Sequence, residues 1–397
     1  MQNLWSEFDD EQQLSESAGR AQKHVISQRR HPTEQAVLSI LREWLLHDFI
    51  APYCRSLAAT RIFRRCYWID GLGGKHMLQL TLSISQALAT ESKPIALYSI
   101  MLEAKNSRRK EASADKSITF PQEGGVVHAS WPEAASTLLQ ALDQSAAIFL
   151  LNPFSSTTPF TIEDLTPLYQ RTAPTELLLF ISHKQVETLL LPYLDTSAGA
   201  SVFTALLRSD RWKSLLAGST EIEQRIDGLI NAFLFSMQKQ HFLTVQRIPL
   251  LMHTAPTIVE PVPYTLIFST RRQDSLVHMN DAICAYRRRL QEQSLEGVLT
   301  EEWFAAQQRE RFAGEIQQLH QRILHQGRTQ RQRRWPDLRQ QMLVANFGQF
   351  TQQDYDLVIQ KLLQSGEVRC EWRKKPSDNP DLEASHIPGN EDTFIWK

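Results

Sequence analysis

The sequence predicts an α/β chain, with a mostly parallel sheet covered by helices on both faces and closed by an antiparallel pair of strands. Three observations carry this. Runs such as "AAIFLLNPF" (146–154) and "TELLLFISH" (175–183) carry apolar residues on both faces, as strands buried between two helical layers must. Helical patterns separate these runs, which is how parallel neighbours are connected. The last two strand-like runs are joined by "TAPTIVEPVP", which is too short for a helical crossover and therefore makes that pair antiparallel.

The elements follow in order. Residues 1–30 are polar, lack the apolar core of a signal peptide, and are expected to be mobile. In "HPTEQAVLSILREWLLHDFIAPYC" Val37, Leu38, Leu41, Trp44 and Leu45 recur at helical spacing. "FRRCYWID" is the first strand; it runs into "GLGG" and then a helix, "LQLTLSISQALA". "PIALYSIMLE" (94–103) is the second strand and ends on Glu103, and "GGVVHAS" (124–130) is a short third. Pro132 stands at the start of the next helix, where its missing N–H costs nothing. Residues 146–154 form the fourth strand. Thr161, followed by acids, caps the helix "TIEDLTPLYQRT", and 175–183 form the fifth strand. After a helical insertion at about 185–240 come "LTVQRIPLLMH" (243–253) and "YTLIFSTRR" (264–272). Pro249 cannot donate to a ladder, so its strand belongs at a sheet edge.

This organisation gives an α/β domain over 31–285, a charged helical linker over 286–335, and a small unit over 336–397. The linker ends in a basic run, Arg328, Arg331, Arg333 and Arg334. The small unit reads as two helices followed by two strands, "EVRCEWR" and "DTFIWK". Gly348 ends its first helix; Thr351 caps the second, with Asp354 at N3 and Gly366 as terminator. Helix, helix, strand, loop, strand resembles the second half of a winged helix.

Composition excludes several classes. The chain has 397 residues, 42% of them hydrophobic, and a formal net charge of -1, so any nucleic-acid contact must be local. Its four cysteines form no CxxC pair, which argues against both a zinc site and a disulfide framework. No run approaches the roughly 18 apolar residues that suggest a membrane span. A soluble, cytoplasmic protein is expected.

Asp70, Gly71, Gly73 and Gly74 stand where a parallel strand hands over to a helix, the edge at which open α/β sheets bind ligands. Glycine allows a ligand close to the backbone, although a plain tight turn explains the same residues. Glu103, ending the next strand, is placed to accept hydrogen bonds from ribose hydroxyls, or simply to meet solvent. Asn152, Pro153 and Phe154 end the fourth strand. Their pattern suits an amide and a carbonyl that hold an exocyclic amine while an aromatic ring stacks on the base; a strand-ending turn is the plainer reading. The four arginines can neutralise phosphates or form a solvated linker. His31, His76, His128 and His183 lack metal-ligand spacing and read as ordinary polar residues, with a site role open to His183 at the end of the fifth strand and to His76 in the loop after the glycines.

Five parallel strands plus a terminal hairpin resemble the sheet of class I S-adenosylmethionine-dependent methyltransferases, and that resemblance implies the order 3-2-1-4-5-7-6. The order of motifs is similar to that of the three-Cys-motif partner proteins (TcmP), a bacterial methyltransferase-like family. It runs through a helix with Trp44-Leu45, "YWIDGLGG", "MLEAKN", "LLNPFS", "SDRW" and "YTLIFSTRRQDSLVHMNDA". The chain departs from the family at Leu72-Gly73, Asn152 and Ser155, and has Glu34 or Gln35 where a basic residue is usual. The family resemblance implies a cysteine-motif protein as partner and defence against mobile DNA as the setting, and leaves the chain's own reaction open. The first reading is a methyltransferase acting on DNA or RNA, with S-adenosylmethionine across Asp70, Gly71, Gly73, Gly74 and Glu103, and Asn152, Pro153 and Phe154 as the catalytic set. The departures leave a second reading, a scaffold that keeps the fold without the chemistry. A dinucleotide oxidoreductase fits less well, because the spacing is not GxGxxG.

Overall fold

The computed structural model describes residues 34–73, 77–103, 120–155, 160–190, 221–238, 244–252, 262–295, 301–331, 333–374 and 386–397. The N-terminal segment, Gly74, His31, His76 and residues 191–220 of the insertion lie outside this set.

The amphipathic stretch folds as α1 (Glu34–Trp44), a π-helical turn (Leu45–Ile50) and α2 (Ala51–Ala59) in direct succession. Pro52 near the start of α2 has no N–H to return to that turn. Val37, Leu41, Leu45, Phe49 and Leu57 are all fully buried along the inner face.

β1 (Arg65–Asp70), α3 (Met77–Thr90), β2 (Ala96–Leu102), β3 (Gly125–Val127), α4 (Trp131–Leu142) and β4 (Ala146–Leu151) follow. After them come a 3-10 turn (Ile162–Leu165), α5 (Thr166–Gln170), β5 (Thr175–Ser182), α6 (His183–Leu190) and α7 (Ile222–Gln238). β6 (Thr244–Met252) and β7 (Val262–Thr270) complete the sheet. Its order is β3-β2-β1-β4-β5-β7-β6, the order the resemblance implied. β1 to β5 are parallel, while β7 runs antiparallel to both β5 and β6. β6 is an edge, and Pro249 on it is exposed, as a residue with no N–H to donate requires.

Alternate residues of each strand go to opposite faces. Cys66, Trp68, Ile148 and Leu178 pack with α1, α2 and α8 (Gln273–Leu295) in one apolar cluster. Tyr67, Ile69, Phe149 and Leu177 pack with α4, α5 and α7 in the other. Burying one such side chain contributes about 1.5–3 kcal/mol, so the all-apolar strands are explained by cover on both sides.

Three end-of-helix expectations hold. Pro132 stands in the first turn of α4 as expected, and Ser130 with Glu133 adds a capping box that sequence reasoning missed. Thr161 and Asp164 cap the 3-10 turn in the same way. Thr351 and Asp354 do so on α11 (Gln352–Gln364), and Gly366 follows it with φ +72°.

The C-terminal part comprises α9 (Glu301–Gln330), α10 (Trp335–Ala345), α11, and a two-stranded antiparallel pair, β8 (Val368–Glu371) with β9 (Thr393–Trp396). It is packed on the α/β body. Leu319, Ile323, Leu324, Trp335, Leu338, Tyr355 and Val358 belong to the same apolar cluster as Trp68 and Phe268. The fully buried Asn280 of α8 donates to the Phe350 carbonyl at 2.7 Å and accepts from the Gly348 amide at 2.8 Å. The described end of the 286–335 segment is thus a packed helix rather than a bare linker. Among the described residues, no helix is long and apolar enough to cross a membrane.

Candidate functional site: the carboxyl edge of the parallel sheet

β1, β2 and β4 are in register, so Asp70 lies opposite Met101 on one side and Leu150 on the other. That places Asp70, Glu103 and Asn152 at one edge of the sheet, as the sequence suggested. What each side chain does there differs from residue to residue.

Asp70 is completely buried. Arg42 of α1, 3% exposed, donates Nε to Oδ2 at 2.7 Å and Nη2 to Oδ1 at 3.2 Å. Oδ1 also accepts from the Leu72 amide at 2.8 Å, and Arg42 Nη2 donates to the Gly73 carbonyl. One guanidinium therefore ties the first helix to the end of β1 and to the loop beyond it. A buried carboxylate needs such a partner, because leaving water unpaired is costly.

The two described glycines have different reasons. A Cβ on Gly71 would lie 2.8 Å from Leu151 Cδ2 and 3.5 Å from the Leu150 carbonyl oxygen. The Gly71 amide donates to that carbonyl at 2.8 Å, so this residue is small because β4 passes against it. Gly73 has φ +72° with open space around its missing Cβ, which is the signature of a turn residue.

Glu103 keeps 31% side-chain exposure and lies 3.4 Å from Nδ1 of the exposed His128. Asn152 uses both ends of its amide. Oδ1 accepts from the Phe154 amide at 3.0 Å, an Asx-type turn, and Nδ2 donates to Gln185 Oε1 at 2.6 Å. Pro153 is buried. Phe154 is 1% exposed, and its ring centroid lies 5.6 Å from that of Phe233 in the core. His183 Nε2 contacts Thr265 Oγ1 at 2.9 Å, and burial lowers the imidazole below its usual pKa.

The basic run lies apart from this edge, at the joint between α9 and α10. Arg328, Arg331, Arg333 and Arg334 are all exposed. Arg331 adopts φ +50°, and Arg334 pairs with Asp337 at 2.9 Å.

Sequence reasoning missed Arg42, Gln185 and Glu176. Arg42 had a readable signal, a cation inside an apolar helical stripe between Leu38 and Leu45. Gln185 had none. Glu176 sits one residue into the fully buried β5 and has Tyr53 Oη donating to it at 2.7 Å. Burial pushes its carboxyl up to about 7, against the opposing pull of hydroxyl groups that include Tyr53.

The sheet is a Rossmann-like α/β arrangement whose carboxyl edge carries a buried ion pair and a half-exposed acid. No family model matches the chain, and no curated protein matches it in sequence.

Proposed function

We propose that this chain is a nucleic-acid-binding protein with a methyltransferase-like sheet and a winged-helix-like C-terminal unit, and that it does not itself transfer methyl groups. The observation that carries the binding half is the exposed Arg328, Arg331, Arg333 and Arg334 at the joint leading into that unit. Clustered exposed arginines on a chain of net charge -1 are a local polyanion footprint.

The non-catalytic half is supported by how the edge residues are engaged. An S-adenosylmethionine cradle with an amine-holding Asn-Pro-aromatic needs an accessible carboxylate, an available amide and a ring facing the crevice. Asp70 is sealed by Arg42, Asn152 is engaged at both ends, and Phe154 lies in the core. Glu103 and Gly73 keep the disposition such a cofactor would use. The set as a whole does not fit the group, and no step is derived through it. The three-Cys-motif partner resemblance adds a cysteine-motif protein as the proposed companion and defence as the proposed setting.

The test is paired. Anisotropy titrations of labelled DNA and RNA at rising salt should show binding that weakens steeply with salt; no binding at low salt removes the first half. Calorimetry with S-adenosylmethionine and its demethylated product at millimolar concentration should show no saturable heat, and a saturable isotherm removes the second half.

A further inference from the structure

The first turns of α8 meet α10 and the start of α11 around a cavity of about 270 Å³. It lies at the opposite edge of the sheet from Asp70, because β7 runs antiparallel to β5 and delivers α8 at the amino ends of the parallel strands. Val277, Pro336 and Leu343 give it apolar walls, and Gln273, Gln340 and Gln352 also line it, the last with its side-chain amide donating to Asp356 at 3.5 Å.

The charges around the cavity are balanced internally. Arg339 donates to both oxygens of Asp356, at 2.8 and 3.1 Å, and Asp274 is paired with Arg272 at 2.6 Å. Burial keeps the lining His278 below its usual pKa, which favours the neutral ring. Such a wall offers little to a bare anion. The amides offer both donors and acceptors. Gln273 Nε2 donates to Gln340 Oε1 at 2.7 Å, which uses one donor and one acceptor of a pair of amides that together carry four amide hydrogens and two carbonyl oxygens. Apolar walls with mixed donors and acceptors and no net charge suit a flat, neutral heterocycle. The volume, just below the roughly 300–1,000 Å³ of ordinary small-molecule clefts, suits one ring system rather than a large cofactor.

The cavity is also placed beside the basic run. Arg333 and Arg334 immediately precede α10, whose first turn supplies Pro336 to the wall. We infer that the cavity takes a single unpaired nucleobase from a nucleic-acid strand whose phosphates lie along the arginines. This rests on the nucleic-acid reading above and adds to it a site and a strand state: phosphates are held electrostatically and a splayed base is held by shape and hydrogen bonds.

The experiment compares a short labelled DNA strand of mixed sequence with a strand of the same length made of abasic sites, which keeps the phosphates and removes the bases. The intact protein should prefer the base-bearing strand by about tenfold, the scale of one or two net hydrogen bonds. Gln340→Trp, which fills the cavity, should abolish the preference and leave abasic binding unchanged. Gln273→Ala, at an exposed position, should reduce the preference and covers the case in which the tryptophan disturbs folding. Equal affinity for the two strands, with salt dependence intact, overturns this inference and leaves the functional reading standing. A preference untouched by both substitutions also overturns it. Saturable binding of free adenosine or cytidine without any strand preference assigns the cavity to a free metabolite and overturns the strand assignment. Failure of both strands to bind at low salt overturns the functional reading together with the inference.

Discussion

Arg42 and Asp70 are joined by two hydrogen bonds, at 2.7 and 3.2 Å, across 28 residues of chain, with both side chains buried. The pair converts the most site-like acid of the sequence into a joint between α1 and the end of β1.

Removing one partner strands a buried charge. Arg42→Ala should therefore destabilise the fold by about 3–5 kcal/mol in urea unfolding. The double variant Arg42→Met with Asp70→Asn, which leaves no unpaired charge and keeps an acceptor for the Leu72 amide, should recover much of that loss. Equal destabilisation by the single and double variants would show that the pair is not what holds the joint.

Gly71 separates the packing account of the glycine loop from the ligand account. Gly71→Ala places a methyl 2.8 Å from Leu151 Cδ2 and should cost about 1–3 kcal/mol of stability. Leu151→Ala in the same chain should make that alanine better tolerated. If Gly71→Ala leaves the unfolding midpoint where it was, close passage of β4 is not the reason for the glycine.

Glu176 gives a pH signature. Its carboxyl is held up at about 7 in the fold, whereas the unfolded chain ionises it near the ordinary value of 4.5. Between those two values the native state holds a proton that the unfolded state has released, so stability falls as pH rises through that window and is flat above it. Glu176→Gln keeps an acceptor for Tyr53 and removes the penalty. It should gain on the order of 3 kcal/mol over the parent above pH 7 and lose that advantage below pH 4. Parallel stability curves for the two proteins across this range would refute the assignment.

The arginine run can be read from a salt slope. Replacing Arg331, Arg333 and Arg334 with alanine should lower the slope of log affinity against log salt by about 2–3, with a matching loss of affinity at low salt. An unchanged slope places the phosphate contacts elsewhere.

Asn280→Ala removes two of the hydrogen bonds that hold the α10–α11 turn on α8, leaving those from Arg287 to the Gly348 carbonyl and from the Gln352 amide to Asp281. It should cost about 2–4 kcal/mol and speed amide exchange in residues 346–352, with β1 exchange far less affected. Protection of that turn at the parental level would mean that apolar packing and the remaining Arg287 and Asp281 hydrogen bonds seat it without Asn280.

The frame was legible because its physics is local. The strands announced themselves by consecutive apolar residues, and the only way to bury Phe149 and Ile148 together is cover on both faces. Pro249 named its own edge. Thr351 and Asp354 fixed a helix start within four residues. The site was less legible because its decisive partners are distant in sequence. Asp70 looks the same on paper whether it faces a cofactor or Arg42. Asn152 shows nothing of Gln185, and Phe154 nothing of Phe233. Gly348 likewise reads as the end of a helix, and nothing in the sequence shows that it and the neighbouring Phe350 carbonyl fit against Ile283 and Asn280.

Gly348 has φ +73°, and a methyl there would come within 2.6 Å of Ile283 Cγ2. A contact with so little tolerance binds the histories of the two segments that make it. A recombination event that exchanged the last sixty or so residues for those of a distant relative would bring a turn shaped for a different α8, and the hybrid would pay at once in stability. Substitutions at Ile283 are in turn limited by a residue far down the chain. The two segments are therefore expected to be exchanged at lower cost together than separately.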